Sequence, residues 1–220
     1  MSQATDIGVA GWTAVDLVER FGAIPLSRVV QNPPPGAATE QDVIDLDAHE
    51  DRLCELVDGT LVEKTVGAYE SYLAVFLGEL LNAFVRKNRL GFTLGEAGMM
   101  RLAPGLVRIP DISFISWDRL PDRRVPREPI PDLAPDLAVE VISRHNTRQE
   151  MDRKLQDYFA AGVRLVWHVY HSPRREVWVY VSPTEHSVVR EDETLDGGAV
   201  LPGFQLALAD LFAEPAGPQS

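Results

Sequence analysis

Apolar residues recur at three- and four-residue spacing through Tyr69, Tyr72, Leu73, Phe76, Leu77, Leu80, Leu81 and Phe84, which predicts a helix with one core-facing stripe, stopped at Gly91. Before it, the apolar runs 53–57 and 60–66 flank Asp58-Gly59, and this predicts a hairpin because Asp-Gly accepts the positive backbone angles of a two-residue turn. After it come short strand patterns at 92–94, 98–102, 106–109 and 111–117, punctuated by glycine and proline, as in a meander or bent sheet. Residues 118–135 hold five prolines and four arginines and read as a long polar loop of the functional kind, placed to border a substrate channel. The run 137–142 is a strand. Thr147-Arg148-Gln149-Glu150 is a capping box, and Leu155, Tyr158 and Phe159 give the following helix its buried side before Gly162 ends it. A strand at 163–170 follows, so a crossover connection and locally parallel strands are expected. Segments 176–181, 187–190 and 201–204 look like a hairpin closing the sheet.

Residues 13–21 form a short capped helix in this reading, and Gln31-Asn32-Pro33-Pro34-Pro35-Gly36 is a linker. The expected organisation is therefore an N-terminal appendage over 1–50, one domain over 51–212, and a disordered tail over 213–220. A chain of 220 residues suits one domain with a full core. Its single cysteine, Cys54, cannot form an internal disulfide. With no apolar stretch near membrane-spanning length and no basic or apolar leader at the start, the expected location is the cytoplasm, without membrane attachment. The formal net charge of −12 argues against a general nucleic-acid coat. Much of that acidity lies in Glu40, Asp42, Asp45, Asp47, Glu50 and Asp51, whereas basic residues gather around Arg86, between Arg119 and Arg127, and between Arg144 and Lys154.

Two acids interrupt apolar runs: Asp111 in Ile109-Pro110-Asp111-Ile112-Ser113-Phe114 and Glu140 in Leu137-Ala138-Val139-Glu140-Val141-Ile142. A carboxylate buried in a strand must be neutralised, paired or bound to a cation. Magnesium takes one or two carboxylates plus waters and phosphate oxygens, so Asp111 and Glu140 on neighbouring strands could share one ion and activate a water. Lys154, on the helix after the second strand, could reach the same point and stabilise charge on a phosphate in reaction. These are the parts of a magnesium-dependent phosphodiesterase. The same residues also suit a turn aspartate, an edge-strand glutamate in solvent and an exposed helix lysine.

Beyond spacing, Arg108-Ile109-Pro110-Asp111, Pro135-Asp136-Leu137-Ala138-Val139-Glu140-Val141-Ile142-Ser143, Asn146-Thr147, Lys154, Tyr158, Ala161-Gly162-Val163 and Val166-Trp167 resemble a bacterial restriction endonuclease family long filed as a domain of unknown function, within the PD-(D/E)XK nuclease superfamily. The resemblance extends to Glu55-Leu56-Val57-Asp58-Gly59, Glu63-Lys64, Leu195-Asp196-Gly197-Gly198 and Leu201-Pro202-Gly203-Phe204. It implies an α/β (α+β) restriction-endonuclease-like fold, a central mixed β-sheet flanked by helices. Asp111 matches the first motif acid and Glu140 the second. The lysine expected two residues later is Ile142 here, and Lys154 supplies it from the next helix. Where many members carry a histidine near the start of the long helix, this chain has Tyr69-Glu70-Ser71, so Glu70 is one candidate third ligand and Glu55, slightly favoured, is the other.

The expectation is thus an endonuclease hydrolysing DNA with Mg2+ or Mn2+, catalysed by Asp111, Glu140 and Lys154, acting as a homodimer. Arg119, Arg123, Arg124, Arg127, Arg144 and Arg148 are the expected DNA contacts. The alternatives are a catalytically inactive nucleic-acid- or protein-binding module on the same fold, and a hydrolase of a smaller phosphodiester. His168 and His171 read more simply as turn residues than as zinc ligands. Trp12, Trp117, Trp167 and Trp178 read as core or edge packing, with Trp117, beside the arginine loop, the one candidate for base stacking.

Overall fold

The structure, a computed structural model, describes residues 12–65 and 67–214. Its centre is a six-stranded sheet in the order β10-β9-β8-β7-β6-β3, built from β3 (Gly91–Leu94), β6 (Ile112–Ser116), β7 (Leu137–Ile142), β8 (Leu165–Tyr170), β9 (Glu176–Tyr180) and β10 (His186–Arg190). Strands β7 and β8 are parallel and joined by α4 (Arg148–Ala160); the other neighbours are antiparallel, so the sheet is mixed. Helix α3 (Ala68–Lys87) covers one face, burying Leu73, Leu77, Leu81 and Val85 against Ile112, Phe114, Val139, Trp167 and Val169. Helix α4 covers part of the other face, with Leu155 and Tyr158 on Ala138 and Val166. Strands covered on both faces read as continuous apolar runs. Glu140 and His168 are buried polar interruptions of those runs, and both belong to the α4 face.

A second, four-stranded sheet has the order β2-β1-β5-β4, from β1 (Cys54–Val57), β2 (Thr60–Glu63), β4 (Met100–Ala103) and β5 (Leu106–Arg108). The β1–β2 turn places Asp58 at φ 49° and Gly59 at φ 68°, as the Asp-Gly pair predicts. Strand β5 runs through Ile109-Pro110 into β6, so Asp111 lies at the junction of the two sheets. The four short strands after α3 therefore do not form one meander: β3 joins the large sheet, and β4 and β5 join the small one. Gly91 does not stop α3. That helix ends at Lys87, with Arg89 at φ 55°, and Gly91 opens β3 where a Cβ would stand 1.8 Å from the Ile115 carbonyl oxygen. Segments 176–181 and 187–190 do close the large sheet, as the β9–β10 hairpin, but 201–204 does not join it; β11 (Thr194–Asp196) and β12 (Gln205–Ala207) make a separate ribbon before α5 (Leu208–Phe212).

The segment expected as an appendage makes specific contacts with the rest. Helix α1 (Ala14–Phe21) is capped by Thr13 and buries Leu17 and Phe21. It lies against the start of α4, where the Thr147 hydroxyl donates to the Phe21 carbonyl at 3.3 Å. Arg28 forms a bidentate pair with Glu150 at 2.7 and 3.2 Å. Helix α2 (Glu40–Glu50) packs Val43 and Leu46 on Cys54, Leu56 and Leu61. Of the tail at 213–220, residues from 215 onward lie outside the described residues.

Candidate active site

Strands β6 and β7 pair with Ile112 opposite Val139, and the backbone bends at Asp111, the residue just before β6. Asp111 and Glu140 line one cleft together with Lys154 of α4. The backbone holds Asp111 from two directions: its N–H donates to the Val139 carbonyl at 3.0 Å, and the Val141 N–H donates to its Oδ2 at 2.6 Å. Lys64, just beyond β2, places its Nζ 2.8 Å from Asp111 Oδ1.

Lys154 sits on the buried side of α4 with its ammonium 3.0 and 3.2 Å from the two Glu140 oxygens and 3.0 Å from Glu55 Oε1. Both Lys154 and Glu140 are 4% exposed. The helix positions this amine because the capping box at Thr147 and Glu150 fixes its start and the Arg28–Glu150 pair fixes its rotation. The Tyr158 hydroxyl, one turn further on, donates to Glu140 Oε1. Behind Glu55 stands Arg108, which donates to Glu55 Oε2 at 2.7 Å and also pairs with Asp157. The Ile109 N–H donates to Glu55 Oε1 at 3.1 Å.

These charges are unequally balanced. Burial pushes the Glu140 carboxyl up; Lys154 opposes this, and the nearby Asp111 and Glu55 reinforce it. Burial acts on Glu55 in the same sense, but Lys154 and Arg108 outweigh it and hold that carboxyl near 2. Lys154 is drawn down by burial and up by two carboxylates, and the carboxylates prevail, so the ammonium keeps its proton.

Glu55, Glu70, Asp111, Glu140, Lys64 and Lys154 wall one cleft of about 20 Å³, about enough for one water-sized occupant. Glu70 is in the first turn of α3, with Oε1 3.1 Å from His171 Nε2. Among the described residues no three His, Cys, Asp or Glu side chains are already grouped as a metal-ligand set. Glu55, the slightly favoured third ligand, has both oxygens occupied by Arg108, Lys154 and the Ile109 N–H, and here it anchors Lys154. Asp111 and Glu140 do fit a divalent cation. They are two buried carboxylates facing one small cleft; their oxygens are also engaged, by Lys64 and the Val141 N–H and by Lys154 and Tyr158, so a cation would take the place of a lysine contact, with its remaining ligands from water and phosphate.

The expected arginines divide. Arg119 lies just beyond the far end of β6, roughly 20 Å of strand from Asp111, and it is held by Asp136 at 2.9 Å and the Gly162 carbonyl at 2.6 Å. Arg123, Arg124 and Arg127 line a cavity of about 1180 Å³ beside Trp117 at that same end, away from the cleft. Arg144 and Arg148 flank the site end of β7 and the start of α4. Arg174 and Arg175, which sequence reasoning missed, stand in the β8–β9 turn and share with Arg144 and Glu70 a groove of about 810 Å³. The carboxyl ends of parallel strands are the usual place for ligands in α/β sheets, and this turn follows one of them. Lys64 and Tyr158 were visible in the sequence without an assigned role. His168 is not a turn residue; it is 1% exposed in the middle of β8.

A protein-family model described as "Uma2: Putative restriction endonuclease" matches residues 40–209, which include Glu55, Lys64, Asp111, Glu140 and Lys154. The chain belongs to the Uma2 family. The Uma2 chain is also similar in fold to the crystal structure of a "putative nuclease belonging to DUF820" from Anabaena variabilis ATCC 29413. The TM-score is 0.65 at 20% identity, over 74% of this chain and 90% of that one. No curated protein matches it. Among the described residues of this Uma2 protein, no helix is long and apolar enough to cross a membrane.

Proposed function

We propose that the protein is an endonuclease that hydrolyses DNA phosphodiester bonds with Mg2+ or Mn2+ held by Asp111 and Glu140. The observation that carries this reading is the convergence of Asp111, Glu140 and Lys154, from β6, β7 and α4, on one buried cleft. When bound, the cation supplies Lewis-acid chemistry to the scissile phosphate. Lys154 presents a permanently charged ammonium to the oxygens that gain charge as the phosphorus is attacked. Glu55 and Arg108 are positioning residues: they hold Lys154 beside Glu140 and keep its charge compensated. Lys64 is a second amine at the cleft, able to exchange Asp111 for a phosphate oxygen. Arg144, Arg148, Arg174 and Arg175 surround the approach and neutralise the DNA backbone. A homodimer would suit two-strand cleavage, because a symmetric pair of sites matches duplex symmetry. The cytoplasm is the compartment consistent with a DNA substrate.

A catalytically inactive DNA-binding module is the second reading, favoured by the fact that each of the two carboxylates already pairs with a lysine. Plasmid nicking with magnesium or manganese distinguishes the two. The enzyme reading requires nicking by the wild type that is abolished in Asp111→Asn, Glu140→Gln and Lys154→Met, each checked for folding. A wild type that binds DNA and never nicks it supports the module.

A further inference from the structure

Across the α4 face of the large sheet, β8, β9 and β10 carry aromatic side chains in register: His168 opposite Trp178, and Tyr180 opposite His186. Helix α4 covers β7 and part of β8 and leaves a groove of about 760 Å³ over the rest. The rings cluster without being coplanar: Tyr170 is tilted 51° to Trp178 and His168 58° to Tyr180. Trp178 and His186 lie parallel, 4.6 Å apart at 8°, Tyr170 is 5.1 Å from Trp178, and His168 is 4.9 Å from Tyr180. The Arg174 guanidinium stands 5.1 Å over Tyr170 and 5.7 Å over Trp178. Arg148 is on the opposite wall with Asp152 3.6 Å away, and Glu176 lies 3.6 Å from Arg174, so the rim is mixed in charge.

One polar group in this groove is unaccounted for. Both ring nitrogens of His168 are buried and have no hydrogen-bond partner, although buried polar atoms in proteins are nearly always paired. Burial keeps the imidazole neutral, its pKa pushed down to about 3, so it offers one donor and one acceptor. That pairing of functions matches the edge of a nucleobase, and flat aromatic and guanidinium faces match its π-surface. Asn146 lines both this groove and the cleft of Asp111 and Glu140, so the two spaces adjoin.

We propose that the groove between α4 and strands β8–β10 binds an unstacked nucleobase of the DNA substrate, stacked on Trp178 with its edge toward His168. The inference rests on the DNA reading above and sharpens it. The preferred substrate carries an unpaired or extruded base near the phosphodiester to be cut, because a fully stacked duplex cannot offer one without unstacking.

The test is tryptophan fluorescence with full-length protein in EDTA, titrated with a short single-stranded oligodeoxynucleotide and with the same oligonucleotide made abasic. The expected result is quenching by the base-bearing strand, with affinity weakened on the order of 10-fold by abasic substitution and comparably by Trp178→Ala. Because Trp178 also packs, His186→Ala, exposed on the edge strand, is the second variant and should weaken binding less but in the same direction. Base-bearing and abasic strands that bind equally, with no loss in either variant, would overturn the base pocket and leave the DNA reading standing; a peptide groove would give that result. Failure of the wild type to bind either strand would overturn the base pocket, while plasmid nicking tests the DNA reading separately.

Discussion

Replacing Lys154 by methionine keeps the volume of the buried side chain, deletes its charge and leaves its two carboxylate partners in different positions. Glu55 retains Arg108 at 2.7 Å and the Ile109 N–H at 3.1 Å. Glu140 retains the Tyr158 hydroxyl and still faces Asp111. Keeping that carboxylate ionised without its lysine would cost several kcal/mol, so protonation is the lower-energy response. A free glutamate titrates at about 4.3, so protonating Glu140 at pH 7 costs about 1.4 kcal/mol for each of about 2.7 pH units, or about 3.7 kcal/mol. A folded pKa raised above the unfolded one gives a deficit that is absent below about pH 4 and grows as pH rises. Because the Glu140 carboxyl is already raised in the wild type, the variant should be less stable than wild type by up to about 3.7 kcal/mol at pH 7 and by up to about 1 kcal/mol at pH 5. Adding Glu140→Gln should recover most of the loss, because the amide is neutral at every pH. Denaturant unfolding of wild type, Lys154→Met and the double variant at pH 5, 6 and 7 measures both effects. A deficit independent of pH, or one undiminished in the double variant, refutes the reasoning.

Three further outcomes follow from the same geometry. Arg144→Ala with Arg174→Ala should weaken DNA binding and reduce the salt dependence by about 0.9 log units per lost phosphate contact; Arg123→Ala with Arg124→Ala should leave both unchanged, and equal effects from the two pairs would contradict the placement of the DNA path. His168 is held near pKa 3 by burial, below its ordinary 6.5, so the stability it contributes is complete above pH 6.5 and falls by up to about 1.4 kcal/mol per unit on acidification. His168→Phe should flatten the unfolding profile between pH 6.5 and 5, and an unchanged profile there counts against a neutral buried imidazole. Arg108→Met should lower kcat more than KM for DNA, since it acts through Glu55 and Lys154; a change confined to KM would make it a binding residue instead.

Long patterns in the sequence were legible and short ones were not. Helix α3, the Asp58-Gly59 hairpin and the β7–α4–β8 crossover each carry enough repeats or a special turn residue to declare their type. Helix α2 was hidden because it buries only Val43 and Leu46 among an acidic surface, and the segment read as part of an appendage. Strands β3 to β6 are three to five residues long, too short to show in sequence which sheet each joins. In the site, Asp111 and Glu140 stood out because acids in apolar runs demand a partner. Lys64 and Arg108 did not, because their carboxylate partners are 47 to 53 residues away and nothing local announces them. The arginines of 119–127, clustered along the chain, lie at the opposite end of β6 from the acids, a separation that no local pattern announces.

The most direct measurement is isothermal calorimetry of manganese binding, run in parallel with plasmid nicking, on wild type, Asp111→Asn and Glu140→Gln. A divalent-cation site on these two carboxylates predicts one ion per wild-type chain, nicking only when that ion is present, and loss of both binding and nicking in each folded variant. Manganese binding and nicking that survive in Asp111→Asn and Glu140→Gln would contradict it.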